Sequence, residues 1–302
     1  MTLVHLKLLL TAIFWGGTFI AGRALAGHVA PFSAAFLRFA VASFFLVMLI
    51  IFKEGRLPRL KKQQFCYIFL CGTTGVFLYN LFFFKGLELI QAGRASLIIA
   101  NNPVVIALLS VVLFNERLNS VRVLGIVISV TGAVIAISRG NLAELLSGGL
   151  GVGDFYIMCC VLSWVTYSLI GKHILQDVSP FTAVSYAAVI GTAMLFFPAL
   201  REGMASDMMN YSAMNWFGIF YLGFFGTVLG FIWYYEGIHK IGAARASLFI
   251  NFVPISAILL AFFILNEPIT ISLGIGALLV SSGVYLTNKG TLGKQRLTGN
   301  SQ

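Results

Sequence analysis

The groups in this 302-residue chain that could do chemistry are polar and aromatic side chains set inside long apolar runs. Asn101, Asn102 and Asn251 lie beside Pro103 and Pro254. A buried amide is costly in hydrocarbon unless it finds a partner. A proline within a helix removes a hydrogen bond, here leaving the carbonyls of Ile99 and Ile250 without their usual donors. Such breaks are tolerated in lipid only where the freed groups meet protein, side chains or cavity water. Asn101 and Asn251 therefore read either as polar groups of a site near the bilayer midplane, with Pro103 and Pro254 as helix breaks, or as bridges between neighbouring helices. Tyr79, Asn80, Trp15, Thr18, Trp164, Thr166 and Tyr167 lie several residues inside the edges of their runs, deeper than an interfacial aromatic belt. They suit the lining of a cavity that stacks on, or hydrogen-bonds, an organic solute. Phenylalanines such as Phe82-Phe83-Phe84 read as packing or lipid-facing groups.

Arg38, seven residues past Pro31, is the most interior cation. Arginine near a helix centre costs about 2.5–3.5 kcal/mol on insertion scales and is usually partnered or functional. The preferred reading pairs it with a carboxylate or a carbonyl at a gate; the other has it anchor a substrate carboxylate. Arg94 and Arg245 open their helices, a poor dipole position for a cation, from which their side chains can snorkel to the interface. Arg94 and Asn101, seven residues apart, share a face.

Other chemistries find little support. All ten acidic residues fall at run ends or in connections, so no mid-membrane carboxylate offers a proton relay. Glu236 or Asp154 would serve only if a cavity reached them. Asp154 reads better as the cap of the sixth helix, and Glu116 and Glu267 as joints between helices 4 and 5 and helices 9 and 10. His5, His28, His173 and His239 are scattered singly, and the four cysteines lie in or beside apolar runs, so neither a metal site nor a disulfide framework is expected. No serine pairs with a histidine at a helical spacing, which leaves a catalytic set illegible. Gly171-Lys172 and Gly293-Lys294 lack the glycine-rich lead-in of a phosphate loop. No cofactor is implied.

The elements that must position these groups follow from composition. The chain is 59% hydrophobic and 10% charged, with a mean hydropathy of +0.94, against roughly 25% charged residues in a soluble domain. Apolar runs at about 6–26, 32–52, 65–84, 93–114, 122–138, 153–172, 181–200, 214–235, 243–265 and 270–288 are each long enough to cross a bilayer as a helix, and none alternates as a barrel strand would. The expected fold is an all-α membrane protein of ten transmembrane helices. The first run, without a small-x-small cleavage site, is expected to be retained. With each Lys and Arg assigned to its nearest connection, fourteen of the twenty fall on the side of the amino terminus. The positive-inside rule then puts both termini in the cytoplasm. The net charge of +10 is accounted for by this topology and by anionic lipid headgroups, with no nucleic-acid partner.

A shift of 151 positions aligns 84–135 with 235–286 without a gap, pairing Arg94-Ala95-Ser96-Leu97 with Arg245-Ala246-Ser247-Leu248, Pro103 with Pro254, Asn115-Glu116 with Asn266-Glu267, and Gly125 and Gly132 with Gly276 and Gly283. A shift of 149 pairs Trp15 with Trp164 and Pro31-Phe32 with Pro180-Phe181. The chain therefore reads as two copies of a five-helix unit: 1–138 and 153–288, joined by a connecting loop at 139–152 and followed by a cytoplasmic tail at 289–302. Five crossings per unit turn the second copy upside down, relating the halves by a pseudo-two-fold axis in the membrane plane. Two packings of similar energy, open to one side or the other, then become available by exchanging the roles of the halves.

These features, with Trp15-Gly16-Gly17-Thr18 in the first run and Gly153-Asp154 opening the sixth, resemble the drug/metabolite transporter superfamily in its EamA-type, ten-span branch. The resemblance covers about 6–288. It implies inner-membrane transport of small-molecule substrates such as amino acids, their derivatives or other metabolites, with helices 5 and 10 peripheral and eight helices around a central cavity. A passive channel and an intramembrane enzyme are the alternatives; a channel does not need the inverted repeat, and an enzyme gains little from it. Neither the substrate nor an oligomeric state follows from the sequence.

Overall fold

A computed structural model describes residues 3–55, 57–114, 119–138, 151–174 and 177–298. Among them are ten helices long and apolar enough to cross a membrane, and no strand. They are α1 (Leu3–Leu25), α2 (Pro31–Glu54), α3 (Lys62–Leu89), α4 (Ala92–Ile99 continued by Asn102–Phe114), α5 (Ser120–Ile137), α6 (Val152–Ile174), α7 (Pro180–Arg201), α8 (Ala213–Ile241), α9 (Ala243–Ile250 continued by Phe252–Leu265) and α10 (Ile271–Thr298). Residues 115–118 and 139–150, with Glu116 and most of the expected connecting loop, lie outside the described residues, as do the side chains of Lys172 and Arg245. Helix α10 runs on to Thr298, through much of the stretch expected as a tail.

Local signals set the helix ends. Pro31 and Pro180, repeat mates, open α2 and α7 where a missing N–H goes unneeded. The side chains of Asn119, Ser179 and Ser212 accept backbone N–H bonds at the starts of α5, α7 and α8. Gly242, at φ +86°, alone separates α8 from α9, a conformation that a side chain would strain.

Two pairs of irregularities follow the repeat. The sequence predicts mid-span helix breaks at Pro103 and Pro254. The interruptions fall just before the prolines: α4 stops at Ile99 and restarts at Asn102, and α9 stops at Ile250 and restarts at Phe252. Both prolines therefore fall within the first turn of a new helix, where proline is tolerated. Helices α3 and α8 widen into π-helical stretches at Gly72–Leu78 and Tyr221–Leu229. Nothing in the sequence reading anticipated these.

The two halves interlock through those widened stretches. Helix α3 packs on α6 and α7 of the other half, and α8 on α1 and α2. A Cβ on Gly72 would stand 3.0 Å from the carbonyl oxygen of Ala187, and one on Gly223 would stand 2.6 Å from that of Arg38. One turn on, Gly75 faces the ring of Tyr167 and Gly226 faces Thr18. The glycines of each pair are 151 positions apart and their partners 149 apart, so the contacts repeat as well as the sequence. Helices α5 and α10 pack chiefly on one another, with Gly125 and Gly132 set against the backbones around Gly283 and Gly276. Their outer faces, including Val123, Leu124, Val127, Ile275 and Leu278, are exposed.

Candidate functional site

A small cavity lies between the halves, with about 50 Å³ open to the centre of a water-sized sphere, room for a few waters in this conformation. Five helices line it. Helix α2 contributes Arg38 and Phe39; α3 contributes Gly75, Val76, Tyr79 and Asn80; α6 contributes Trp164 and Tyr167. Val184 and Ala187 come from α7, and Thr227 and Phe231 from α8.

Arg38 is only 8% exposed and is held from both halves. Its Nη1 donates to Asn80 Oδ1 at 2.8 Å, and its Nη2 stands 3.4 Å from Thr227 Oγ1. The acceptors are themselves oriented by the widened turns. Asn80 Nδ2 donates to the carbonyl of Val76, which turns Oδ1 toward the guanidinium, and Thr227 Oγ1 donates to the carbonyl of Leu222, five residues back. The contact of Gly223 with the Arg38 carbonyl brings α8 close enough for Thr227, one turn later, to reach. The guanidinium carbon also lies 5.3 Å from the centre of the Phe39 ring and 6.0 Å from that of Phe83, at cation–π range. Among the described residues no carboxylate partners Arg38, and Nε has no hydrogen-bond partner.

The same cavity is lined by a run of aromatic rings. The rings of Tyr79 and Trp164 are centred 5.3 Å apart, and those of Trp164 and Tyr167 5.2 Å apart. Tyr79 stacks in turn on Phe83 at 5.9 Å. Tyr167 lies against α3 because Gly75 leaves room for its ring: a Cβ there would come 2.4 Å from Cδ2.

Of the residues predicted from the sequence, Arg38, Tyr79, Asn80, Trp164 and Tyr167 meet in this cavity. Trp15 and Thr18, mates of Trp164 and Tyr167, do not line it. Trp15 Nε1 donates to the carbonyl of Gly226 at 3.0 Å, and Thr18 Oγ1 bonds the carbonyl of Trp15. Asn101 stands between α4 and α5, accepting from Ser129 Oγ at 2.7 Å and donating to the carbonyl of Leu97 at 2.8 Å. Asn251 is half-buried at the junction within α9; it, Pro103 in α4 and the buried Pro254 all lie apart from the cavity lining. Thr166 is exposed on the outer face, its hydroxyl bonded back to the carbonyl of Leu162. The sequence reading missed Thr227 and the small residues Gly75 and Ala187; the 151-position match of Gly72 and Gly75 with Gly223 and Gly226 was the available signal.

Several other charges fasten helix ends. Arg94, expected to snorkel, forms a bidentate pair with Asp154 through Nε at 2.8 Å and Nη2 at 2.6 Å. Asp154 also accepts from the N–H of Gly151. Glu267, expected to join helices 9 and 10, reaches across to the N–H groups of Ala92 and Gly93, and Glu202 does the same for Phe32 and Ser33. Anions at helix N-termini are favourably placed. These three links cross between the halves at the face opposite the amino terminus. At the other face Lys7 pairs with Glu236 at 2.6 Å, and Tyr186 donates to the carbonyl of Pro58.

Ten apolar helices in two interlocked halves, with a small, partly polar cavity between them, define a multi-pass membrane protein. The profile of the EamA-like transporter family matches twice, at residues 2–138 and 151–289. The chain belongs to that family and is a transporter. It is 31% identical to the uncharacterized transporter YyaM of Bacillus subtilis (strain 168), over 96% of this chain and 94% of that one. An uncharacterized transporter of Archaeoglobus fulgidus is also 31% identical, over 92% and 96%. A protein of Streptantibioticus cattleyicolor named "Probable terminal-alkyne amino-acid exporter" is 28% identical, over 96% and 94%. A solved crystal structure 19% identical superposes with a TM-score of 0.63 over 94% of this chain and 96% of that one, a likeness of fold alone.

Proposed function

We propose that this transporter is a secondary carrier that exports small organic metabolites, such as amino acids or their derivatives, by alternating access across the inner membrane, with both termini cytoplasmic. The observation that carries the reading is the pair of matched seams. Gly72 against Ala187 and Gly223 against Arg38 are equivalent contacts between the halves, and Ala187 and Arg38 both line the cavity. A structure whose halves meet through equivalent seams has an alternative packing of comparable energy in which the halves trade roles. Smooth glycine contacts let the helices shift along those seams. The export direction and the amino-acid class draw support from the exporter named above, at 28% identity.

The test is solute efflux from proteoliposomes loaded with a labelled metabolite panel. The expected result is saturable efflux that is accelerated by unlabelled solute on the far side. Unsaturable flux without counter-transport would identify a passive channel instead, and no flux from folded protein would remove the carrier reading.

A further inference from the structure

Arg94 and Arg38 offer an internal comparison. Arg94 shows how this molecule neutralises a structural arginine: the edge formed by Nε and Nη2 grips both oxygens of Asp154. In Arg38 that same edge carries no anion among the described residues, and its Nε is sealed from solvent in this conformation, so a ligand reaches it only when the halves part. Nε has no hydrogen-bond partner, Nη2 has only a 3.4 Å approach to a hydroxyl, and Nη1 is taken by Asn80. A guanidinium that is 8% exposed in a membrane protein and, among the described residues, meets a neutral amide, a hydroxyl and two phenylalanine rings has no counter-ion among those residues. The fork geometry of that edge matches a planar two-oxygen anion.

We infer that Arg38, held by Asn80 and Thr227, is the receptor for the carboxylate of a small organic solute whose apolar or aromatic body lies against Tyr79, Trp164 and Tyr167. Among the described residues that line the cavity, Arg38 alone is charged, so a monocarboxylate balances the site where a dianion would overfill it. The aromatic wall gives the body of the solute a stacking surface. The inference deepens the carrier reading and rests on it for the passage of the solute, but not for its binding.

The experiment compares thermal unfolding of the purified full chain with matched pairs that differ only in the charged group: phenylacetate and phenylacetamide, indole-3-acetate and indole-3-acetamide, phenylalanine and phenylalaninamide. A ligand that binds the folded state raises its Tm. A carboxylate is expected to raise Tm by several degrees while its amide does not. Arg38→Gln should abolish that shift, and Arg38→Lys, a point charge without the fork, should weaken apparent affinity tenfold or more. Asn80→Asp supplies an internal carboxylate beside the guanidinium and should give folded protein that no longer responds. The wild-type pairs and Asn80→Asp decide the matter even if Arg38→Gln does not fold. Equal shifts from amides, a response retained by Asn80→Asp, or a panel in which no carboxylate raises Tm would overturn the inference. Efflux of amines or neutral solutes without carboxylate binding would sink this site and leave the carrier standing; carboxylate binding without flux would do the reverse.

Discussion

Asn101 shows how a buried amide can look like a binding group and serve as a fastening. Its oxygen takes the proton of Ser129 Oγ and its nitrogen holds the carbonyl of Leu97, so the restart of α4 after its break is tied to α5. Asn101→Leu removes both bonds and leaves the fully buried Ser129 hydroxyl without its acceptor, a loss of about 1–3 kcal/mol. A lowered Tm with an undiminished ligand response in the remaining folded protein is expected, and adding Ser129→Ala should cost less than the two single changes summed. Loss of ligand response at unchanged Tm would return Asn101 to the site. Sequence alone left both roles open because helices in lipid are apolar all round. Without a polar face to contrast with, the run that holds Asn101 does not say whether the amide turns toward the cavity or toward a neighbour. Arg38 was legible as a buried cation for the opposite reason, since any cation at that depth needs an account. Its partners were not legible, because Asn80 and Thr227 come from helices remote in sequence.

At the scale of elements, the closeness of α8 to α2 governs the site. Gly223 sits where a Cβ would come 2.6 Å from the carbonyl oxygen of Arg38, a backbone atom that cannot swing aside. Gly223→Ala should push α8 outward, lower stability by about 1–3 kcal/mol as overpacking does, and lift Thr227 away from the guanidinium. Gly274→Ala, with nothing within 4 Å of the new methyl group, is the control. It should leave Tm unchanged or slightly raised, since alanine favours helix by up to about 1 kcal/mol. Thermal unfolding of the two variants side by side checks this, and equal effects would mean that the seam has slack. Helix number and approximate limits could be read in advance because run length against bilayer thickness leaves little freedom. The π-helical stretches could not, since an i→i+5 turn has no residue signature of its own and is stabilised by the side chains that use its freed carbonyls. Thr227 on Leu222, five residues back, is such a use.

At the scale of the molecule, everything turns on the second half crossing the membrane in the sense opposite to the first. The repeat was visible in sequence, and its physical content is that equivalent residues end on opposite faces. Leu89 and Lys240, 151 positions apart, are both exposed and lie near the ends of α3 and α8. Because α3 is the third crossing and α8 the eighth, the chain has traversed the membrane an odd number of times at Leu89 and an even number at Lys240. In a cysteine-free background, which must also replace the exposed Cys66, Leu89→Cys and Lys240→Cys should therefore react with a membrane-impermeant maleimide from opposite compartments. Sealed vesicles of known orientation read this directly: the outside reagent should label one variant, and the other only after permeabilisation. Labelling of both from one side would make the halves parallel, and with parallel halves the matched seams at Gly72 and Gly223 would no longer supply two packings related by exchange.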